Sequence, residues 1–527
     1  MTMAKRTKQQ PTLTTSQQLG SLLKTARDIM RKDKGLNGDL DRLPLLTWIM
    51  FLKFLDDLEV QREDEAVMAG EKFRPAVEMP YRWRDWAADE KGITGDDLLR
   101  FINQDEIKVP TGKKDKKGKP ATKRIPGLFA YLRKLTGSNG DDRRDVIARV
   151  FRGVDNRMKS GYLLRDVINK VQGIHFTSST ELSTLGTLYE SMLREMRDAA
   201  GDSGEFYTPR PVVRFMVRMS DPQLGETVLD PACGTGGFLT ESFEHLRKQV
   251  VTTTHHKVLQ KHSLYGGEAK PLPYLLCEMN LLLHGLNSPQ IDSGNSLRNK
   301  LTEIGEKDRV DVILTNPPFG GEEEKGVQDN FPGDRQSAET TLLFLQLIMR
   351  KLRRNPGKAG RPARAAVVVP NGTLFGDGVA ARIKQDLLTD FNLHTIVRLP
   401  NGVFAPYTGI PSNLLFFDRS GPTKDVWYYE IPTPEGRKNY TKTAPMQDAE
   451  FAACEAWWSK RKENEQAWKV PAKDLLANNC NLDRKNPRGK ADITHLPPAE
   501  LAASIVRKEE QIAEIMGRIQ KLLLTEA

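Results

Sequence analysis

One stretch limits what this chain can fold into more than any other: an apolar run that ends on two prolines, Val310-Asp311-Val312-Ile313-Leu314-Thr315-Asn316-Pro317-Pro318-Phe319. Its length and branching are those of a buried strand. Proline fixes φ and offers no backbone N–H, so the ladder must stop there. Asn316 precedes a proline and is steered out of the α region. An amide, two rigid carbonyls and an aromatic ring therefore fall at the carboxyl end of a strand. Open α/β sheets hold their ligands at that end. Asn-Pro alone would read as a plain strand-ending turn; the upstream sequence weighs against it.

Further strand-like runs lie at Thr227–Leu229, Ser263–Gly266, Ala365–Val369 and Thr395–Leu399, with Asn413–Phe417 as a last, antiparallel strand. Helical stretches separate the first four of the series, so a mostly parallel sheet covered on both faces is expected over about 179–430. Before it the pattern is helical. Leu19, Leu22, Leu23, Ala26, Ile29 and Met30 make one stripe, and Leu45 to Leu55 make a helix apolar on most of its surface. Residues 16–178 read as a helical N-terminal domain, followed by a helix from Leu182 to Met196. Residues 1–15 read as a disordered tail. Lys113 to Arg124 is basic and broken by Gly118 and Pro120, so 110–125 is expected as a mobile loop, either solvated or touching phosphate. Residues 431–496 are mixed and give no fold. Residues 497–527 form a helix with Leu501, Ile505, Ile512, Ile515, Ile519 and Leu522 at heptad positions. That seam suits a coiled coil with another helix, or packing back on its own domain.

The 527 residues allow two or three domains, and the net charge of +10 suits a polyanionic partner. The four cysteines are far apart without Cys-x-x-Cys spacing, which argues against a disulfide framework or a zinc site. No apolar signal stretch opens the sequence, and Leu43 to Leu58 is too short and too charged to span a bilayer. A cytoplasmic protein with no metal and no membrane contact is expected.

Asp230-Pro231-Ala232-Cys233-Gly234-Thr235-Gly236-Gly237 follows the first strand and opens a helix. Glycines let the backbone approach a ligand, and a helix N-terminus favours negative charge. The third glycine of the dinucleotide fingerprint is missing. The run instead resembles the cofactor loop of S-adenosylmethionine-dependent methyltransferases. Glu268 ends the second strand, where an acid can accept both ribose hydroxyls. Asn295 would follow the third strand, as an adenine-facing amide or a turn asparagine. Gly204-Glu205-Phe206-Tyr207-Thr208-Pro209-Arg210 leads into a helix and could fold over the methionine end of the cofactor, or Thr208 could merely cap that helix.

Together, Gly204 to Pro209, Asp230 to Phe238, Tyr265 to Glu268 and Asn316 to Phe319 resemble the DNA adenine-N6 methyltransferases, in the gamma motif order. In particular they resemble the modification (M) subunit of type I restriction-modification systems. Arg364 to Phe375 and Val397 to Asp418 look similar too. The resemblance implies a Rossmann-like S-adenosylmethionine-dependent methyltransferase core in the α/β class. It implies that Glu205, Phe206, Tyr207, Thr208, Pro209, Arg210, Asp230, Gly234, Thr235, Gly236, Gly237, Glu268 and Asn295 bind S-adenosyl-L-methionine. Asn316, Pro317, Pro318 and Phe319 would be catalytic. The Asn316 oxygen and the Pro317 carbonyl would accept both hydrogens of adenine N6, and Phe319 would stack on a base flipped out of double-stranded DNA. Cys233, in the cofactor loop, implies no cytosine-C5 chemistry.

Only about a hundred residues follow the core, ending in the heptad helix, too few for a built-in recognition domain. A separate specificity (S) subunit is therefore expected to read the DNA. A second modification subunit and a restriction (R) subunit are the further partners the family implies. Gly320 to Gln336 reads as a mobile loop beside the base, or an acidic face for another subunit. The alternatives are an RNA-adenine or protein-glutamine N-methyltransferase, and a non-catalytic DNA-binding scaffold.

Overall fold

The computed structural model describes residues 16–70, 72–114, 120–137, 143–174, 208–357, 359–405, 408–441, 443–488 and 506–517. The expected tail, the Leu182–Met196 helix and the Gly204–Tyr207 stretch lie outside them.

The N-terminal part is built on helix Asp39–Ala69, which carries Trp48, Ile49, Phe51 and Phe54 fully buried. Helices Ser16–Met30, Arg143–Arg152 and Gly161–Gln172 contribute to the same apolar core. This part is not purely helical. Strands β1 (Glu106–Lys114) and β2 (Pro120–Pro126) pair antiparallel, so the expected basic loop is largely a hairpin. Its tip, 115–119, is outside the described residues. The β-branched and apolar residues Ile107, Val109 and Ile125 alternate with charge, a strand signal that the lysines obscured.

The remaining strands form one nine-stranded sheet. In chain order they are β3 (Val228–Asp230), β4 (Leu264–Gly267), β5 (Gln290–Asp292), β6 (Val312–Thr315), β7 (Arg364–Pro370), β8 (Asn392–Arg398), β9 (Ser412–Asp418), β10 (Asp425–Glu430) and β11 (Ala467–Pro471). Their spatial order is β11-β10-β8-β9-β7-β6-β3-β4-β5. β7, β6, β3, β4 and β5 run parallel, and β9 is antiparallel to both β7 and β8. Val312 and Leu314 face one apolar cluster while Ile313 faces another, so β6 is covered on both sides.

Two parts of the sheet had no clear reading in the sequence. β5 is only three residues long, too short to show a pattern. Part of the region after 430 joins the sheet: β11 closes its edge against β10, which pairs with β8. Tyr428 stacks on Trp468 at 5.3 Å across that pair. Residues 506–517 are helical, with Ile512, Ile515 and Met516 more than half exposed.

Candidate active site

The chain leaves β3 towards β4 and β5 on one side, then returns to β6 on the other. This reversal opens a crevice at the carboxyl ends of β3 and β6, where a doubly wound sheet binds its ligand. A cavity of about 330 Å³ lies there. It brings together Thr208, Arg210, Asp230, Gly234, Thr235, Gly237, Glu268, Asn295, Asn316, Pro318 and Phe319 from the residues expected on sequence. Gly236 and Pro317 do not line it. Pro317 is buried behind its neighbours, and Pro209 precedes the helix Arg210–Ser220 as its cap residue. Glu205, Phe206 and Tyr207 lie outside the described residues.

The glycine loop is a tight cradle. Gly234 and Gly236 have φ of 53° and 83°, which suits glycine. A Cβ on Gly236 would stand 2.8 Å from Cys277 Sγ, and one on Gly267 would stand 2.4 Å from Ser296 Oγ. Helix Gly237–Arg247 starts at the end of this loop. Arg210 lies across its first turn and donates to the Gly237 carbonyl at 3.0 Å. Glu268 accepts from Gly234 N–H at 3.0 Å and from Lys270 N–H at 2.7 Å, one bond on each oxygen. Burial raises its pKa, against the pull of those amides. Each oxygen keeps a second lone pair for a ligand hydroxyl. Asp230 is 1% exposed and accepts from Ala232 N–H at 3.1 Å. Burial pushes its carboxyl up to about 7, opposed by the Thr315 hydroxyl and the Ala232 amide.

On the β6 side, Asn316 Nδ2 donates to Thr208 Oγ1 at 3.1 Å. Thr208 is therefore not the helix cap: the cap position is Pro209, with no side-chain bond. The Thr208 hydroxyl instead turns the Asn316 amide so that Oδ1 points away from it. Among the described residues that Oδ1 is buried with no hydrogen-bond partner. An acceptor so placed costs stability until a donor arrives. The Pro318 carbonyl is engaged by Thr341 Oγ1 at 3.0 Å. Phe319 meets Phe404 edge-on, with ring centres 5.9 Å apart.

Asn295 caps its own turn through the Leu297 N–H at 2.9 Å, and its Nδ2 reaches Glu323 at 3.4 Å. The turn reading and the cavity-facing reading of Asn295 thus coexist. Gly320 to Gln336 is tied down: Glu323 N–H donates to the Ala338 carbonyl, Thr340 N–H to that of Gly321, and Gln328 Nε2 to that of Glu323. Those bonds tie the stretch to residues 338–340 and within itself.

Sequence reasoning missed Phe404, Ser296, Cys277 and Asn280. Glu278 and Asn280 did leave a signal, as two polar residues inside the apolar run Tyr274 to Leu283.

A parallel switch point, a glycine cradle with an acid beyond it and an open amide acceptor on the next strand define an α/β methyltransferase that acts on an amino nitrogen. Similar proteins narrow the class. The N-6 DNA methylase family matches residues 180–495, and the HsdM N-terminal domain matches residues 19–171. The methylase subunit of the type I restriction enzyme EcoEI from Escherichia coli is 46% identical over 96% of this chain and 97% of its own length. A solved modification subunit of a type I enzyme from Vibrio vulnificus YJ016 is 66% identical, with a TM-score of 0.84 over 91% of this chain and 99% of that one. A chain from a structure on assembly and conformational transition of a type I restriction-modification system is 38% identical, with a TM-score of 0.72 over 97% and 99%. The chain belongs to the N-6 DNA methylase family, among the methylase subunits of type I restriction enzymes. That membership selects the DNA-adenine reading over the RNA, protein-glutamine and scaffold alternatives. Among the described residues no helix is long and apolar enough to cross a membrane.

Proposed function

We propose that this chain transfers a methyl group from S-adenosyl-L-methionine to adenine N6 in DNA, at the cavity between β3 and β6. The buried, unanswered Oδ1 of Asn316 carries the reading. Bound S-adenosylmethionine would supply an electrophilic sulfonium methyl. Glu268 would hold its ribose hydroxyls, and the start of helix Gly237–Arg247 would favour its carboxylate. Asn295, Arg210 and the loop Asp230 to Gly237 complete the cradle. The Glu205 to Pro209 stretch would close over the methionine end.

Adenine N6 is a weak nucleophile because its lone pair is delocalised into the ring. Asn316 Oδ1 accepts one N6 hydrogen, which draws the nitrogen towards a tetrahedral shape and stabilises the positive charge that builds on it. The Pro317 carbonyl, the second acceptor the sequence offered, belongs to a buried residue that does not line the cavity. Thr208 fixes which end of the amide faces the base. Phe319, backed by Phe404, stacks on the adenine flipped from the duplex.

The chain works in the cytoplasm with a specificity subunit, a second modification subunit and a restriction subunit, on double-stranded DNA. Ile512 and Ile515 on the terminal helix lie three residues apart on an exposed face and suit a coiled-coil seam with the specificity subunit. Unchanged co-purification with that subunit after truncation at Pro497 removes the helix from the interface. The function itself is tested by long-read detection of N6-methyladenine in DNA from cells expressing the chain with and without the subunits encoded beside it. Methylation at one recurrent sequence, dependent on the chain, is expected; none in any combination overturns the reading.

A further inference from the structure

Helix Pro271–Leu283 is apolar almost all round, yet it buries two polar side chains, Glu278 and Asn280, with no exposure at all. Its position explains why so little of it meets water. Leu275, Leu276, Met279, Leu282 and Leu283 pack in the core of the N-terminal helical part. Cys277 and Leu281 pack in the core beside the sheet. One helix thus forms part of both cores.

The face that carries Cys277 and Asn280, three residues apart, lies behind the glycine loop. Asn280 Nδ2 donates to the Thr235 carbonyl at 3.0 Å, with both groups buried. Cys277 Sγ lies 3.7 Å from Cys233 Sγ and fills the space a Cβ on Gly236 would need. The helix therefore touches Cys233, Thr235 and Gly236. The Thr235–Gly236 peptide plane is held at both ends, its carbonyl by Asn280 and its N–H by the Cys233 carbonyl at 2.7 Å. Gly236 sits at φ 83°, where a glycine has other conformations within easy reach. With the carbonyl released, one anchor remains and the plane is free to turn. The neighbouring Gly234 N–H, bound to Glu268, would move with it.

We propose that Asn280 is a positioning residue for the cofactor: it locks the Thr235–Gly236 peptide so that the glycine loop and Glu268 keep the geometry that receives S-adenosylmethionine. Through helix Pro271–Leu283, the packing of the N-terminal helical part bears on cofactor affinity. The inference rests on the functional reading above, and deepens it at the cofactor side.

The test is calorimetric titration of the full-length chain with S-adenosylmethionine and with S-adenosylhomocysteine, for the wild type and Asn280→Asp. The substitution keeps the shape and removes the donor when ionised. Affinity is expected to fall about 10- to 100-fold, the range for a buried carbonyl left without its donor. In turnover, KM for the cofactor should rise while kcat at saturation stays within about twofold. A protonated aspartic acid can donate again, so the deficit should shrink as pH falls. Cys233, Cys277, Glu278 and His284 lie around the site in both proteins, and the wild type at each pH subtracts them. No deficit at a pH above the raised pKa of the buried aspartic acid, or a deficit that does not shrink as pH falls, overturns the proposal. If Asn280→Asp does not fold, Asn280→Ser is expected to show the same loss of affinity, and unchanged binding by it overturns the proposal. A wild type that binds neither ligand would remove the functional reading instead. A wild type that binds, beside a variant that binds equally well, removes only this inference.

Discussion

The ends of β3 and β4 and the end of β6 face one cavity, but they handle polar groups differently. On the cofactor side the chain pairs the groups that shape the cradle, while Asn280 Oδ1, behind the loop, has no hydrogen-bond partner among the described residues. Glu268 takes two backbone amides, Asp230 takes a third, and Asn280 takes the Thr235 carbonyl. On the β6 side Thr208 fixes the Asn316 amide, and Oδ1 is left without a donor among the described residues. The first side is a cradle whose loop is held by hydrogen bonds within the chain. The second keeps a buried acceptor open, a cost that the incoming adenine amino group relieves. Binding and chemistry should therefore separate in mutants.

The largest expected effect is at the open acceptor. Asn316→Ala should lower the single-turnover rate by about 10²- to 10³-fold, the range for losing one preorganised group that meets developing charge. Calorimetry should find cofactor affinity within about twofold of wild type. An affinity loss as large as the rate loss would break the separation between the two sides.

Glu268→Gln should do the reverse, weakening S-adenosylmethionine binding by about 10- to 100-fold, as bonds to a charged acceptor are lost. Its kcat at saturating cofactor should change little. A collapse of kcat with unchanged affinity would move Glu268 out of the cradle.

Thr208→Val tests how the amide is oriented. Asn316 Nδ2 then has no hydroxyl, the amide can turn over, and the rate should drop by about fivefold to tenfold, about 1 kcal/mol. A wild-type rate would mean that the open acceptor needs no orienting partner.

The last effect concerns stability rather than turnover. The folded-state pKa of Asp230, about 7, lies above its ordinary value of 3.8. Its contribution to stability is therefore present in full below the ordinary value and is lost as pH rises through the folded value. An Asp230→Asn variant carries an amide there that cannot ionise. The melting temperature of the wild type should fall relative to the variant between about pH 4 and about pH 7 and stay level above that. A constant difference over that range would contradict the buried, protonated carboxyl.

Much of the β6 side was legible in the sequence. Two prolines and the residue before them obey local rules, and Asn316, Pro318 and Phe319 meet the cavity as the strand-end argument required. The cofactor loop was legible through its glycines and Glu268. Less could be read where the signal was short or mixed. β5 has three residues, and the lysines of β1 and β2 hid a hairpin. Residues 431–466 separate β10 from β11, so nothing local announces that they share one sheet edge.

The sequence by itself determined that strands end where they do, which loop can approach a ligand, and which amide stands beside the prolines, because backbone sterics and periodicity act over a few residues. Only the tertiary structure decided that Thr208 turns the Asn316 amide from 108 residues away and that Asn280 holds Thr235 across 45. Those contacts depend on how helices pack over a twisted sheet, and a local sequence can mark a buried polar residue without naming its distant partner. The prolines at the end of β6 set the place for the chemistry, and packing decides which atom of Asn316 is offered there.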